Sequence, residues 1–355
     1  MATNVKNLLK LMLEKNASDL HIAANTPIHF RVDENLVPFE KPLSAEEAKE
    51  AVYSLLKPEQ KEQFEKNKEL DFSFEVKGLA RFRVNVYYQR GYVGCAIRLI
   101  PFEIWNFEKC GVSKELAVEI CKKPKGLVLV TGATGSGKST TLAAMVDYIN
   151  MTRQNHIVTV EDPIEFVYEN KKSIVNQREV YSDTNSFGDA LKHVLRQDPN
   201  VILIGEMRDL ETIESALVIA ETGHLVFATL HTSDASQTIN RIIDVFPSHQ
   251  QQQIKTQLSF VLLAVFSQQL IPHASGKGRV LATEVLMANP AIRSLIREGK
   301  VHQIYSTIQT SQKEYMRTMN QSLSELVKKG LITREESLAK SMYPDELARL
   351  MGPGK

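Results

Sequence analysis

The residues best suited to chemistry in this chain form one run, Gly132-Ala133-Thr134-Gly135-Ser136-Gly137-Lys138-Ser139. It fits the spacing G-x-x-x-x-G-K-[ST] and lies between an apolar stretch, Leu127 to Val130, and a helical run, Thr140 to Tyr148. Glycines so placed let successive backbone N–H groups turn inward toward phosphate oxygens, and the helix that follows adds partial positive charge at its N-terminus. Lys138 is then expected to reach the β and γ oxygens, and the Ser139 hydroxyl to ligate magnesium, with Thr140 opening the helix beside them. The expected ligands are ATP and Mg2+, and the expected reaction is hydrolysis.

Hydrolysis also needs a group to orient the attacking water. Val201-Ile202-Leu203-Ile204-Gly205-Glu206 ends a buried strand with an acid at its carboxyl end, the edge where open α/β sheets bind ligands. Gly205 stands where an aspartate is usual, so Glu206 is expected to act as base and to hold magnesium only through water. A glutamate that merely caps the helix beginning near Asp209 is the alternative. A second acidic group, Glu161-Asp162-Pro163-Ile164-Glu165, ends the strand Ile157 to Val160, stopped by Pro163, and makes Glu161 a second candidate base. His224 precedes and His231 follows the strand Leu225 to Leu230; either one could sense the γ-phosphate, and a structural hydrogen-bonding role is open for each.

The elements that must position these groups follow from length and patterning. A chain of 355 residues predicts two domains and a sizeable core. From Gly126 onward, short apolar runs (127–130, 157–160, 201–204, 225–228) alternate with helical segments, the pattern of a parallel sheet covered by helices on both faces. The fold class is therefore α/β. Ahead of it, Val5, Leu8, Leu9, Met12 and Leu13 mark one face of a helix, and Ser44 with Glu47 reads as a capping box opening a charged helical stretch to about Glu69. Strands are expected at Ile28 to Val32, Leu70 to Val76, Ala80 to Gln89 and Cys95 to Ile100, which together make a small α+β domain over residues 1–100. Residues 101–112 read as a linker and 113–355 as the second domain, mostly helical from about 290, with helices over Ser311 to Lys329 and Pro344 to Met351. Pro290 to Gly299 predicts a helix with Ala291, Ile292, Leu295 and Ile296 in an apolar stripe and Arg293 and Arg297 as exposed charges.

Composition narrows the function classes. Lys plus Arg number 43 against 42 Asp plus Glu, so there is no global basic field to draw nucleic acid or an anionic membrane. The three cysteines show no Cys-x-x-Cys spacing, which indicates neither a disulfide framework nor a structural zinc. The longest pure apolar run, Phe260 to Phe266, is far short of the roughly 20 residues that cross a bilayer. A cytoplasmic protein is expected, tethered to a membrane only by a partner.

Gly132 to Ser139, Val158 to Phe166, Ile202 to Thr212 and Glu221 to Thr232 together resemble the Walker A, Asp box, atypical Walker B and His box of the secretion ATPase superfamily. The resemblance runs through the whole chain. It is strongest to the branch that retracts type IV pili, whose Ala-Ile-Arg-Asn-Leu-Ile-Arg-Glu signature is similar to Ala291 to Glu298 with Ser294 in place of asparagine. It implies a RecA-like ATPase domain behind a PAS-like N-terminal domain, a homohexameric ring docked on the inner-membrane platform of the pilus machinery, and no direct contact with nucleic acid. It also implies that arginines of the first domain, here Arg81, Arg83 or Arg98, complete the nucleotide site; strand alternation by itself gives them no catalytic standing. A pilus-assembly or type II secretion ATPase, a RecA-like DNA motor and a nucleotide-gated scaffold are the alternatives.

Overall fold

The computed structural model describes residues 4–32, 35–76, 79–100 and 103–352. It divides into two compact units, residues 1–103 and 104–355. The first contains α1 (Val5–Glu14), β1 (Asp19–Ile22), β2 (Ile28–Val32), β3 (Asn35–Phe39), α2 (Ala45–Tyr53), α3 (Pro58–Asn67), β4 (Glu69–Val76), β5 (Ala80–Gln89) and β6 (Tyr92–Ile100). Its strands pair antiparallel in the order β3-β2-β1-β6-β5-β4. The capping box of α2 forms as its sequence dictates, with Glu47 N–H donating to Ser44 Oγ and Ser44 N–H to the Glu47 carboxylate. The charged stretch that follows is not one helix, because Pro58, which cannot donate to the preceding turn, starts α3 afresh.

The second unit contains α4 (Phe107–Cys110), α5 (Lys114–Cys121), β7 (Gly126–Thr131), α6 (Lys138–Thr152), β8 (His156–Glu161), β9 (Ile174–Glu179), α7 (Phe187–Val194), β10 (Val201–Ile204), α8 (Leu210–Glu221), β11 (Leu225–Leu230), α9 (Ala235–Asp244), α10 (Gln251–Val261), β12 (Leu262–Pro272) and β13 (Arg279–Met287). Helices α11 (Pro290–Arg297), α12 (Ile304–Thr310), α13 (Met319–Lys328), α14 (Arg334–Lys340) and α15 (Pro344–Met351) complete it. Its seven strands run β13-β12-β7-β11-β10-β8-β9, all parallel except the edge strand β13. Alternate side chains fill two apolar layers. Leu127, Leu129, Val158, Ile202 and Val226 pack with α7, α8, α9 and α10, whereas Val128, Val130, Leu203 and Phe227 pack with α5 and α6. Burial on both faces explains why these strands read as unbroken apolar runs.

Four expectations need correction. Pro101 and Phe102 lie outside the described residues, but the rest of the expected linker is structured. Asn106 caps α4 by accepting from Lys109 N–H at 2.8 Å, and Phe107 is buried against Tyr148, so this segment belongs to the core of the second unit. Strands β9, β12 and β13 were not expected. The apolar run Phe260 to Phe266 straddles the end of α10 and the start of β12, and apolar runs of that length do not separate helix from strand. The helix expected over Ser311 to Lys329 begins only at Met319, because Arg317 exchanges backbone hydrogen bonds with Val285 of β13.

The fourth correction concerns Arg293. Pro290 opens α11 as expected, Asn289 caps it, and Ile292 and Ile296 are buried. The Arg293 guanidinium, however, donates to the carbonyls of Ala288 (2.9 Å), Phe260 (2.7 Å), Leu262 (3.0 Å) and Ser259. It satisfies carbonyls that the end of α10 leaves without helical partners and is not an exposed charge. Replacing it by alanine is therefore expected to cost stability, whereas Arg297 carries no comparable clamp among the described residues.

Candidate functional site

The parallel order of β7, β11, β10 and β8 brings their carboxyl ends to one edge, and the loops leaving that edge carry the candidate residues. From β7 the chain enters the glycine loop, with Gly132 at φ +141°, Gly135 at +78° and Gly137 at +89°, and then α6. Only glycine fits at 132, where a Cβ would press on the Gln268 carbonyl of β12 and lie 2.6 Å from Ser136 Oγ. Strand β12 also braces the loop from behind. Thr131 donates to Ser267 at 2.9 Å, and the Gln268 amide donates to Thr141 at 2.7 Å.

Lys138 is only 9% exposed, and its ammonium donates to the carbonyls of Gly132 (2.8 Å) and Ala133 (3.1 Å) within the loop. Burial lowers its pKa, opposed by the negative charges of Glu206 and Glu165. The Ser136 hydroxyl is buried and has no hydrogen-bond partner among the described residues. Ser139 and Thr140 stand in the first turn of α6. A buried cation, a helix N-terminus and three left-handed glycines around one loop fit a phosphate group.

Beside the loop, β10 delivers Glu206. Its Oε2 pairs with Arg208 at 2.7 Å and its Oε1 lies 3.4 Å from His231 Nε2 at the end of β11. Burial raises its pKa, but the Arg208 hydrogen bond and the nearby His231, Arg208 and Lys138 outweigh that effect, so the carboxyl titrates below its ordinary range. The capping alternative for Glu206 is excluded, since Asp209 caps α8 with its own side chain by accepting from Thr212 N–H at 2.8 Å. The missing aspartate also has a steric reason. A Cβ at Gly205 would lie 3.2 Å from Glu161 Cα, and Gly205 N–H donates to the Val160 carbonyl at 2.8 Å, so the two strand ends are pressed together.

Glu161 is at the same edge but does not face the loop. It is 6% exposed, and its carboxyl accepts from Thr159 Oγ1 (2.6 Å), Gln177 (3.3 Å) and the Glu165 N–H (3.3 Å). Burial pushes it up to about 7. The acid of that cluster whose charge reaches Lys138 is Glu165, which the sequence grouped with Glu161 but did not single out. Arg208 was likewise missed; its place two residues beyond Glu206, on an irregular segment, gave no period to read.

His224 is not at this edge. It precedes β11, where its carbonyl accepts from Gly126 N–H at 3.0 Å and its ring lies 3.0 Å from the Ile219 carbonyl. The six-residue strand β11 separates it from His231, roughly 20 Å at about 3.3 Å per residue. Within one chain it therefore does not touch a nucleotide on the loop. Arg81, Arg83 and Arg98 lie in the first unit. Arg83 and Arg98 are direct cross-strand partners, Arg81 donates to Ser73 Oγ at 2.6 Å, and Arg98 to Asp19 Oδ1 at 2.8 Å.

A glycine loop holding a buried lysine, on a parallel sheet whose next strand but one leads into a glutamate, defines a P-loop ATPase. The chain belongs to the family described as Type II/IV secretion system protein, whose model matches residues 1–339. It is 49% identical over 343 residues to the "Type IV pilus retractation ATPase PilT" of Pseudomonas aeruginosa, covering 96% of this chain and 99% of that protein. It is 46% identical to the "Twitching motility protein" of Neisseria gonorrhoeae, covering 98% and 93%. The crystal structure of the pilus retraction motor PilT with bound ADP superimposes with a TM-score of 0.92 at 50% identity, covering 98% of this chain and 99% of that one.

Proposed function

We propose that this chain is the cytoplasmic motor that powers retraction of type IV pili by hydrolysing Mg-ATP as a homohexameric ring on the inner-membrane platform of the pilus machinery. The observation that carries the reading is likeness to a retraction ATPase over essentially the full length of both chains, joined to a glycine loop with Lys138, Glu206 and His231 in one cluster. Shared ancestry of the ATPase core alone would not distinguish retraction from assembly or secretion, whereas a match that also includes the N-terminal unit favours retraction.

In the proposed mechanism the N–H groups of residues 132–139 and the Lys138 ammonium bind the phosphates, and Lys138 offsets charge on the transferring γ-phosphoryl group. Glu206 orients a water and takes its proton. Because Arg208 occupies Oε2, Oε1 on the His231 side is the oxygen that faces this task, and His231 is placed to register loss of the γ-phosphate. Among the described residues no group of three His, Cys, Asp or Glu side chains could cage a metal, so magnesium would rest on Ser139 and phosphate oxygens, with Glu206 behind water. Bound there, the ion would neutralise charge between the β and γ phosphates. Arg81, Arg83 and Arg98 are proposed to serve the nucleotide of a neighbouring copy. In verified mixed rings, a Lys138→Ala subunit combined with an arginine-deficient one should then recover turnover; no recovery would remove the arginines from the site.

Deleting the gene and restoring it as wild type or Glu206→Gln tests the reading as a whole. Pili that still extend but no longer retract, rescued only by the wild type, are expected. Absence of pili would make the protein an assembly ATPase, and unchanged retraction would overturn the proposal. Salt-dependent DNA binding by the purified ring would favour a DNA motor instead.

A further inference from the structure

We propose that Glu284 is a positioning residue for ATP hydrolysis, holding the start of α9 from the edge strand β13 and so keeping His231 against Glu206. The inference rests on the ATPase reading of the Glu206 site. It begins with the segment His231 to Asp234, which leaves β11 and reaches α9 without regular structure. At its near end the segment is tied to the Glu206 strand, since Thr229 Oγ1 donates to the Gly205 carbonyl at 2.5 Å and Met207 N–H to the Thr229 carbonyl at 3.0 Å. At its far end Asp234 caps α9 by accepting from Gln237 N–H at 2.8 Å, and the hydroxyls of Thr232 and Thr238 share a 2.7 Å hydrogen bond. Those far-end contacts are local to the segment and its own helix. Ala235 and Ile239 pack that helix into the core, and Ser236 Oγ donates to the Val301 carbonyl at 3.5 Å.

Glu284 adds a polar anchor to the helix's first backbone N–H from the edge strand of the sheet. Its carboxyl accepts from Ala235 N–H, the first residue of α9, at 2.9 Å, across 49 residues of sequence. The backbone N–H of Met319, the first residue of α13, acts on the same carboxyl and favours its charged form. One buried acid thus joins the start of the helix behind His231 to the start of a C-terminal helix. Glu284 is only 3% exposed, and burial pushes it up to about 7, with Asp234 acting in the same direction. A buried carboxyl is costly to keep. Two helix starts, each rich in N–H groups without helical partners, are the environment that a carboxylate serves and a neutral side chain serves less well.

The experiment is a double-mutant cycle on the assembled enzyme, with steady-state ATPase rates for wild type, Glu284→Gln, His231→Ala and the pair. If Glu284 acts through His231, Glu284→Gln lowers kcat about tenfold with KM for ATP changed less than about twofold, and changes kcat less than about twofold once His231 is alanine. A merely structural loss would not depend on His231. Equal losses in both backgrounds, an unchanged kcat in Glu284→Gln, or an unaffected His231→Ala enzyme would overturn the proposal. Should Glu284→Gln fail to assemble, Ala235→Pro removes the N–H that Glu284 accepts, at the cost of ring atoms added to a buried position, so its effect is read in both His231 backgrounds. Proline suits the first helical position, and Asp234 already has the extended backbone required before it. A kcat loss in Ala235→Pro that vanishes without His231 supports the idea, and normal turnover defeats it. Glu206→Gln measured alongside separates the two readings, since a dead Glu206→Gln with a fully active Glu284→Gln defeats positioning alone, whereas an active Glu206→Gln removes the base assignment on which it rests.

Discussion

The carboxyl ends of β8 and β10 are neighbours in one parallel sheet; β8 ends in Glu161 and β10 leads into Glu206 two residues on, yet the two acids live in different chemistry. Glu161 turns into the protein, accepts from Thr159, Gln177 and Glu165, and is pushed up to about 7 by burial. Glu206 stands where Lys138, Arg208 and His231 outweigh its partial burial and hold it ionised. Position at the ligand edge therefore does not fix a carboxyl's charge state; the charges that surround it decide. Glu161 supports the turn that carries Glu165, while Glu206 meets the glycine loop.

The most severe way to probe this difference is to remove the cation that Glu206 feels. Lys138→Ala is expected to reduce turnover below detection and to weaken nucleotide affinity, read by ATPase assay and by titration with a fluorescent nucleotide; near-normal steady-state rates would undo the site. Next, Glu206→Gln should retain ATP but slow hydrolysis by about a hundredfold or more, because the amide keeps the shape and cannot take the water's proton. A crippled Glu161→Gln beside a normal Glu206→Gln would exchange the two roles.

Gly205→Ala joins the two strand ends in one measurement. Its Cβ would press on Glu161 Cα and the Val160 carbonyl, and moving either strand end displaces Glu206; a kcat loss of about tenfold with nearly unchanged KM is expected. Full activity would mean that the close approach has no catalytic consequence.

The smallest effect on activity is expected for Glu161→Gln, with kcat within about threefold of wild type, and its signature lies in stability. A carboxyl at about 7 in the folded chain, against an ordinary 4.5, binds more proton folded than unfolded, so its contribution is present below about pH 4.5 and lost as pH rises through 7. Glutamine does not titrate. Thermal unfolding should show Glu161→Gln gaining on the parent as pH rises across that window, by on the order of 3 kcal/mol in full. A pH-independent difference would contradict the assigned environment of Glu161.

Much of this could be read before folding was considered. The loop from Gly132 to Ser139 was legible because its chemistry is carried by local backbone conformation, which glycine spacing encodes directly. Strands β7, β8, β10 and β11 were legible because burial on both faces leaves an unbroken apolar run, and the cap at Ser44 because a cap is a contact over three residues. Strands β12 and β13 escaped because one is continuous in sequence with the end of a helix, and the pairing that makes the other an edge strand is nonlocal.

What the sequence by itself determined is the phosphate loop, the α/β alternation and the acids at strand ends, since each depends on residues close in the chain. Only the tertiary structure decided which acid faces the lysine, that His224 lies at the far end of its strand, that Arg293 clamps the end of α10, and that Glu284 reaches Ala235. Those outcomes depend on which groups share a low-dielectric neighbourhood after strands distant in sequence have paired, and neither residue type nor local spacing records that proximity.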